Sequence, residues 1–266
     1  RPVTTGADAP ATERVGHRED MATQRIAERL VRAARKLRES VDGLTFSPPV
    51  AHVYNPLAYA RRSHELYLRR YADHPKRVVF LGMNPGPYGM MQTGIPFGEV
   101  AAVRDWLGIE VKIDSPALAH PRRPIQGFRC ERSEVSGRRL WGLFADRFGT
   151  PGTFFADHFV VNYCPLAFLE ASGRNLTPDK LARSETEALF EACDRHLAHV
   201  LRTLAPQWVV AVGAFAEQRI RRIEHGAARI GRVLHPSPAS PAANRDWAGA
   251  ATRQLVDQGI WRAQKR

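Results

Sequence analysis

Four short apolar runs, separated by stretches of helical spacing, constrain this chain more than anything else in it. They are Val78-Val79-Phe80-Leu81, residues 158–166 (HFVVNYCPL), 207–213 (QWVVAVG) and 228–235 (ARIGRVLH). Each is short enough to cross a domain as a strand and too short for a buried helix. Between them, residues 134–148 repeat apolar side chains at Val135, Leu140, Trp141, Phe144 and Phe148. Thr177-Pro178 offers an N-cap followed by Pro at the first helical position, opening a helix to about Leu204. Residues 214–225 read as a short basic helix and 242–263 as a closing one. Strands alternating with helices predict an α/β fold: a three-layer α/β/α sandwich around a four-stranded parallel sheet, with right-handed crossovers.

The remaining chain fits that frame. Residues 21–43 show helical spacing through Ile26, Leu30, Ala33, Ala34 and Leu37, and stop at Gly43. Residues 44–59 read as extended or looped because of Pro48-Pro49 and Asn55-Pro56, and 57–72 as a short helix. Phe97 to Leu107 reads as a helix with Glu99 in its first turn. Residues 108–133 form a long irregular connection, a kind of loop that is often functional or mobile. No linker divides the chain, so 21–266 is expected to be one domain. Residues 1–20, polar and carrying Pro2 and Pro10, are expected to be a disordered leader. The N-terminus lacks the apolar segment of a signal peptide, and no run approaches a membrane span.

Charge narrows the partner. With 39 basic and 27 acidic residues the formal net charge is +12, and only five of the cations are Lys. Such a balance points to a polyanion, and Arg suits bidentate phosphate contacts. Nucleic acid is favoured over a membrane surface, which would call for a basic amphipathic helix or a lipidation motif. Three scattered cysteines, with no CxxC spacing, argue against a disulfide framework and against a structural zinc or iron–sulfur centre. His196 and His199 lie three apart without a carboxylate partner and read as surface residues. No metal and no cofactor is expected.

Three of the four strands end in a polar side chain that could do chemistry. The first breaks at Gly82-Met83-Asn84-Pro85-Gly86-Pro87-Tyr88-Gly89, where three glycines and two prolines exclude continued regular structure. The second ends in Asn162 and the fourth in His235, before Pro236-Ser237-Pro238. In a parallel sheet these carboxyl ends share one edge, where ligands bind. An amide presents a donor and an acceptor side by side, matching a nucleobase edge. Asn84 could instead hold a water, and His235 could donate to an oxygen that becomes negative. Phe97 offers a stacking plane.

At these residues the chain resembles the single-strand-selective monofunctional uracil-DNA glycosylases, within the uracil-DNA glycosylase superfamily. The resemblance is carried by Gly82–Pro87, by Gln92-Thr93-Gly94-Ile95-Pro96-Phe97-Gly98-Glu99 and by His235-Pro236-Ser237-Pro238, with further similar segments at Ser133–Gly137, Asn162–Leu166 and Ser172–Pro178. It spans roughly residues 40–262. It implies the uracil-DNA glycosylase fold and a monomer acting on single- and double-stranded DNA. It also implies hydrolytic removal of uracil, leaving an abasic site, in a nucleoid, cytoplasmic or nuclear setting. By resemblance Asn84 positions the water, His235 bonds uracil O2, Asn162 reads the base edge and Phe97 stacks on the flipped base. Met83 and Gly86 line the pocket near the uracil 5-position. The absence of a bulky residue at Gly86 implies that 5-hydroxymethyluracil is accepted too. Ser237, Pro238, Ala239, Ser240, Pro241, Asn244 and Arg245 correspond to the element that penetrates the duplex. Ala239 stands where animal members carry Arg, which implies a weaker advantage on duplex DNA. Tyr88 replaces the family's usual Phe, with little expected effect. Two competing readings are a glycosylase of the same superfamily that prefers hypoxanthine or xanthine, and a catalytically silent nucleic-acid-binding module.

Overall fold

A computed structural model describes residues 11–263, with side chains from Arg25 onward. In chain order the elements are α1 (Ala11–Asp42), β1 (His52–Tyr54), α2 (Pro56–Tyr59), α3 (Arg61–Tyr71), β2 (Val78–Gly82) and α4 (Met90–Thr93). There follow α5 (Val135–Phe148), α6 (Pro151–Phe155), β3 (His158–Asn162), β4 (Ala167–Leu169) and β5 (Asn175–Leu176). The chain closes with α7 (Arg183–Leu204), β6 (Trp208–Val212), α8 (Ala214–Ile220), β7 (Arg229–Val233) and α9 (Pro241–Asp257).

The four apolar runs form one parallel sheet in the order β3-β2-β6-β7. Every residue of β2 and β6 is buried, as expected of central strands covered on both faces. The edge strand β7 exposes Arg229 and Arg232. Register fixes which helix lies on which face. Phe80 packs on Phe144 of α5, with ring centroids 5.0 Å apart. Phe159 pairs with Val79, the neighbour of Phe80 that points the other way, and stacks on Tyr67 of α3 at 5.0 Å. Helices α3 and α5 therefore cover opposite faces. Helix α1 lies against α3 and α7 through a stripe of Leu30, Val31, Ala34, Leu37 and Val41, all buried. Arg35 ties it to α3 by a bidentate pair with Glu65, at 2.7 and 2.8 Å.

Several expectations need correction. Helix α1 starts at Ala11, so residues 11–20 are helical rather than leader; the expectation for residues 1–10 lies outside the described residues. The second apolar run ends as a strand at Asn162, and its last residues lead into β4. Strand β4 joins β1 and β5 in a separate antiparallel sheet that the sequence did not reveal. Strands of two or three residues carry too few positions to show alternation. Phe97 does not begin a helix: Glu99 Oε2 accepts the Ala102 N–H at 2.9 Å, so regular winding starts only beyond it and becomes a π turn over Ala102–Trp106. The 108–133 connection is irregular as expected, yet pinned, since the Gln92 amide oxygen accepts the Gln126 and Gly127 N–H groups at 2.8 and 3.2 Å. His196 and His199 lie partly buried between α1 and α7 rather than on open surface. Among the described residues no helix is long and apolar enough to cross a membrane.

Candidate active site

A cleft of about 410 Å³ opens at the carboxyl edge of the sheet. It is lined by Met83, Asn84 and Gly86 from the β2 loop, by Phe97, and by His235, Ser237 and Pro238 beyond β7. The β2 loop is held there by the chain that follows β3. Tyr163 N–H donates to Gly82 O at 3.0 Å and Cys164 N–H to Met83 O at 2.8 Å, so main-chain pairing continues past the strand ends. Leu166 O then accepts Asn84 Nδ2 at 3.2 Å. With one N–H committed to that carbonyl the Asn84 amide is oriented, and its Oδ1 is an acceptor suited to orienting a water and unable to take its proton at neutral pH.

Phe97 sits at φ +53°, a left-handed conformation rarely adopted by an aromatic residue. Its surroundings dictate it: Glu99 N–H donates to Phe97 O at 2.7 Å, Gly98 N–H to Ile95 O at 2.8 Å, and Thr93 Oγ1 to Gly98 O at 2.9 Å. Such strain persists where neighbouring bonds over-determine the backbone, often at functional positions. The ring lies over Gly82, where a Cβ would overlap both Phe97 Cε2 and Asn162 Oδ1. Asn162 is thereby brought against the edge of Phe97; it is half-buried and lies outside the cleft's lining, in a neighbouring cavity with Met90 and Pro96. Its Nδ2 donates to Met90 Sδ at 3.2 Å, and its buried Oδ1 has no partner. A buried amide oxygen left unpaired is costly unless something else fills the role.

His235 ends the strand side of the site. Its Nδ1 accepts the Ser237 N–H at 3.1 Å, which leaves the proton of the neutral ring on Nε2. Burial lowers its pKa to about 4, so the ring is a neutral donor at physiological pH. The loop beyond is braced from α5: Arg139 donates to Pro236 O at 3.0 Å and to Asn244 Oδ1 at 2.9 Å, while Asn244 Nδ2 donates to Pro238 O at 2.8 Å. Ser240 caps α9 and Pro241 opens it. Ala239 and Arg245 are exposed.

The family model of the uracil-DNA glycosylase superfamily matches residues 69–256. The single-strand selective monofunctional uracil-DNA glycosylase of Rattus norvegicus is 45% identical over 94% of this chain and 91% of its own length. The Mus musculus protein of the same name is 46% identical over 90% and 86%.

The chain belongs to the uracil-DNA glycosylase superfamily.

Among solved structures, SMUG2 of Pedobacter heparinus shares the fold, with a TM-score of 0.58 at 20% identity, covering 86% of this chain and 95% of that one. The parallel sheet and its flanking layers are those the sequence predicted.

Within this glycosylase, the structure gathers Met83, Asn84, Gly86, Phe97, His235, Ser237 and Pro238 around one cleft; Asn162 is not in its lining but lies beside Phe97, in an adjoining cavity. Ala239, Ser240, Pro241, Asn244 and Arg245 do not line it; they form the adjoining loop and first turn of α9. Asn244 braces that loop internally rather than standing free. Sequence reasoning missed Glu134, Ser136, Asn175 and Thr177, which also line the cleft. Their only signal was membership of the segments Ser133–Gly137 and Ser172–Pro178; nothing in their spacing marks them. It missed Arg139, whose value depends on a contact 97 residues away. Tyr88 uses the hydroxyl that a Phe would lack, accepting from Arg123 at 2.7 Å. Among the described residues no Lys lines the cleft, and the buried Lys76 lies at the amino end of β2, bonded to Phe155 O at 2.6 Å. Among the described residues no group of three or more metal-binding side chains occurs.

Proposed function

We propose that this enzyme flips uracil out of DNA into the cleft and hydrolyses its N-glycosidic bond with Asn84, Phe97, Asn162 and His235 in separate roles. Flipping costs a few kcal/mol, least from single strands, where no partner base is lost. The net charge of +12 favours the polyanionic substrate. The base stacks on Phe97 and presents its N3–O4 edge to Asn162. A thioether is a weak acceptor, so Met90 Sδ yields the Asn162 Nδ2 donor readily to a carbonyl oxygen, while the unpaired Oδ1 accepts N3–H.

The C1′–N1 bond breaks with its electron pair moving onto the base, giving an oxocarbenium-like sugar and a uracil anion. His235 Nε2–H donates to O2, and that hydrogen bond strengthens as charge accumulates. A neutral donor fits the role, since it keeps its proton and binds the uncharged ground state only modestly. Asn84 Oδ1 holds the water that adds to C1′; the water proton passes to solvent. Among the described residues that line the cleft none is a Lys that could form a Schiff base, which supports an abasic site in an intact strand as the product.

The cleft volume supports acceptance of 5-hydroxymethyluracil, being at the small end of the range for organic ligands, about 300–1,000 Å³. Gly86 contributes differently from the sequence expectation. A Cβ there would meet the Glu134 carboxyl at 2.7–2.9 Å, so the place of the missing side chain is occupied by another residue. The loop Ser237–Arg245 enters the duplex, with Arg245 available to phosphate and Ala239 a short, uncharged tip.

The observation that carries the reading is His235, fixed in its Nε2–H tautomer by Ser237 and facing the same cleft as Asn84. The test is a uracil-containing single strand incubated with enzyme and then treated with alkali. The wild type gives a nick and His235→Leu reduces it by two orders of magnitude or more. Undiminished nicking by His235→Leu, or tight binding without any nick from the wild type, refutes the proposal.

A further inference from the structure

We propose that Glu134 reads the 5-substituent of the flipped base, favouring groups that donate a hydrogen bond over groups that only accept one; this rests on the proposed acceptance of 5-hydroxymethyluracil.

Glu134 occupies the N-cap position of α5, yet its side chain makes no cap hydrogen bond. A carboxylate beside a helix N-terminus normally accepts the free N–H groups there. Here it reaches instead to the β2 loop, where Oε2 accepts the Tyr88 N–H at 2.9 Å. It passes Gly89 closely, with Cγ 3.0 Å from where a Cβ would be, and ends against Gly86. Both glycines leave room for it. Oε1 accepts no hydrogen bond among the described residues, and Glu134 lines the cleft. Burial raises the pKa of the carboxyl and nearby Glu99 adds to the effect, while the backbone N–H groups of Tyr88 and Gly89 oppose it.

With O2 at His235 and the N3–O4 edge at Asn162, position 5 is the next ring atom beyond O4, and the proposal sets it at the part of the same cleft lined by Gly86 and Glu134. A 5-hydroxymethyl group can donate its O–H to Oε1. A 5-formyl group presents only an oxygen, which a carboxylate repels. A 5-methyl group gains no polar contact. If Glu134 merely braces Tyr88, Gln serves equally well, because its amide oxygen still accepts that N–H.

Single-turnover release of 5-hydroxymethyluracil and of 5-formyluracil from single-stranded DNA, measured for the wild type, Glu134→Gln and Gly86→Ala, tests this. The ratio of the two rates within one protein gives the preference, and comparing ratios between proteins cancels the intrinsic difference in leaving groups. In Glu134→Gln, whose amide N–H can donate to the formyl oxygen, the ratio moves toward 5-formyluracil by tenfold or more. In Gly86→Ala the new methyl displaces the carboxyl without neutralising it, and the ratio moves the same way; this variant decides the matter should Glu134→Gln fail to fold. A ratio that stays within twofold of wild type overturns the role of Glu134 alone. A wild type that releases uracil but no 5-hydroxymethyluracil overturns the proposed breadth, and this inference with it.

Discussion

Gly82 packs against Phe97 and Asn162, the two side chains proposed to hold the base, and Gly82→Ala tests that proposal. The methyl would overlap Asn162 Oδ1 and Phe97 Cε2 and stand 2.8 Å from Phe97 Cζ. Ordinary contact between such atoms begins near 3.5 Å, so the overlap is roughly 1 Å. Neither neighbour yields easily: Phe97 is tied by the hydrogen bonds around its strained backbone, and Asn162 belongs to a parallel strand in full register with β2. Overpacking of this kind costs about 1–3 kcal/mol. In a chain of this size each kcal/mol lowers the melting temperature by about 2–4 °C, giving a fall of roughly 2–12 °C. Activity should suffer more than stability. A misplacement near 1 Å costs about a hundredfold in rate, and here both the stacking face and the edge reader move. The assay is single-turnover uracil release from a single strand at a temperature where circular dichroism shows the variant folded. Release within threefold of wild type by a folded variant would refute the placement of Phe97 and Asn162 as the base-holding pair.

Other outcomes follow from the same geometry. Since burial holds the His235 pKa near 4, uracil release should show no acid limb near pH 6.5, and any loss from this residue should appear only toward pH 4. A limb centred at 6.5 that vanishes in His235→Leu would contradict the neutral donor. Ala239→Arg restores a long cation at the tip of the loop and should raise the duplex-to-single-strand activity ratio severalfold; an unchanged ratio would remove Ala239 from the explanation of strand preference. His158 is fully buried, donating from Nδ1 to Phe154 O at 3.1 Å and accepting from Trp261 Nε1 at 3.0 Å, and its pKa is lowered to about 4, chiefly by burial. Its depressed pKa means that the unfolded chain binds the proton more readily. The associated stability is therefore complete above pH 6.5 and is lost as pH falls toward 4, by up to about 1.4 kcal/mol per pH unit. Urea unfolding at pH 7, 6 and 5 should show this slope, and His158→Gln should flatten it.

Much of the fold was written locally. Four apolar runs separated by helical periodicity suffice to predict a parallel sheet between helices, because each element declares itself within a dozen residues. The same logic located Asn84, Asn162 and His235, since a parallel sheet must bring its carboxyl ends to one edge. Gly86 and Phe97 were legible as a loop and an aromatic, with their roles implied by resemblance.

What stayed hidden depends on contacts between distant segments. Glu134 looks like an ordinary helix start until the fold turns its carboxylate toward Gly86 and away from its own helix. The small β1-β4-β5 sheet is too short to show a pattern. The orientation of the Asn84 amide is set by Leu166, 82 residues away, and the order of the Ser237–Arg245 loop by Arg139 on another helix. The sequence by itself determined the four strands of the parallel sheet and which polar groups stand at their ends. Only the tertiary structure decided which atom of each group faces the cleft, because a hydrogen bond's direction is fixed by its partner, and here the partners come from elsewhere in the chain.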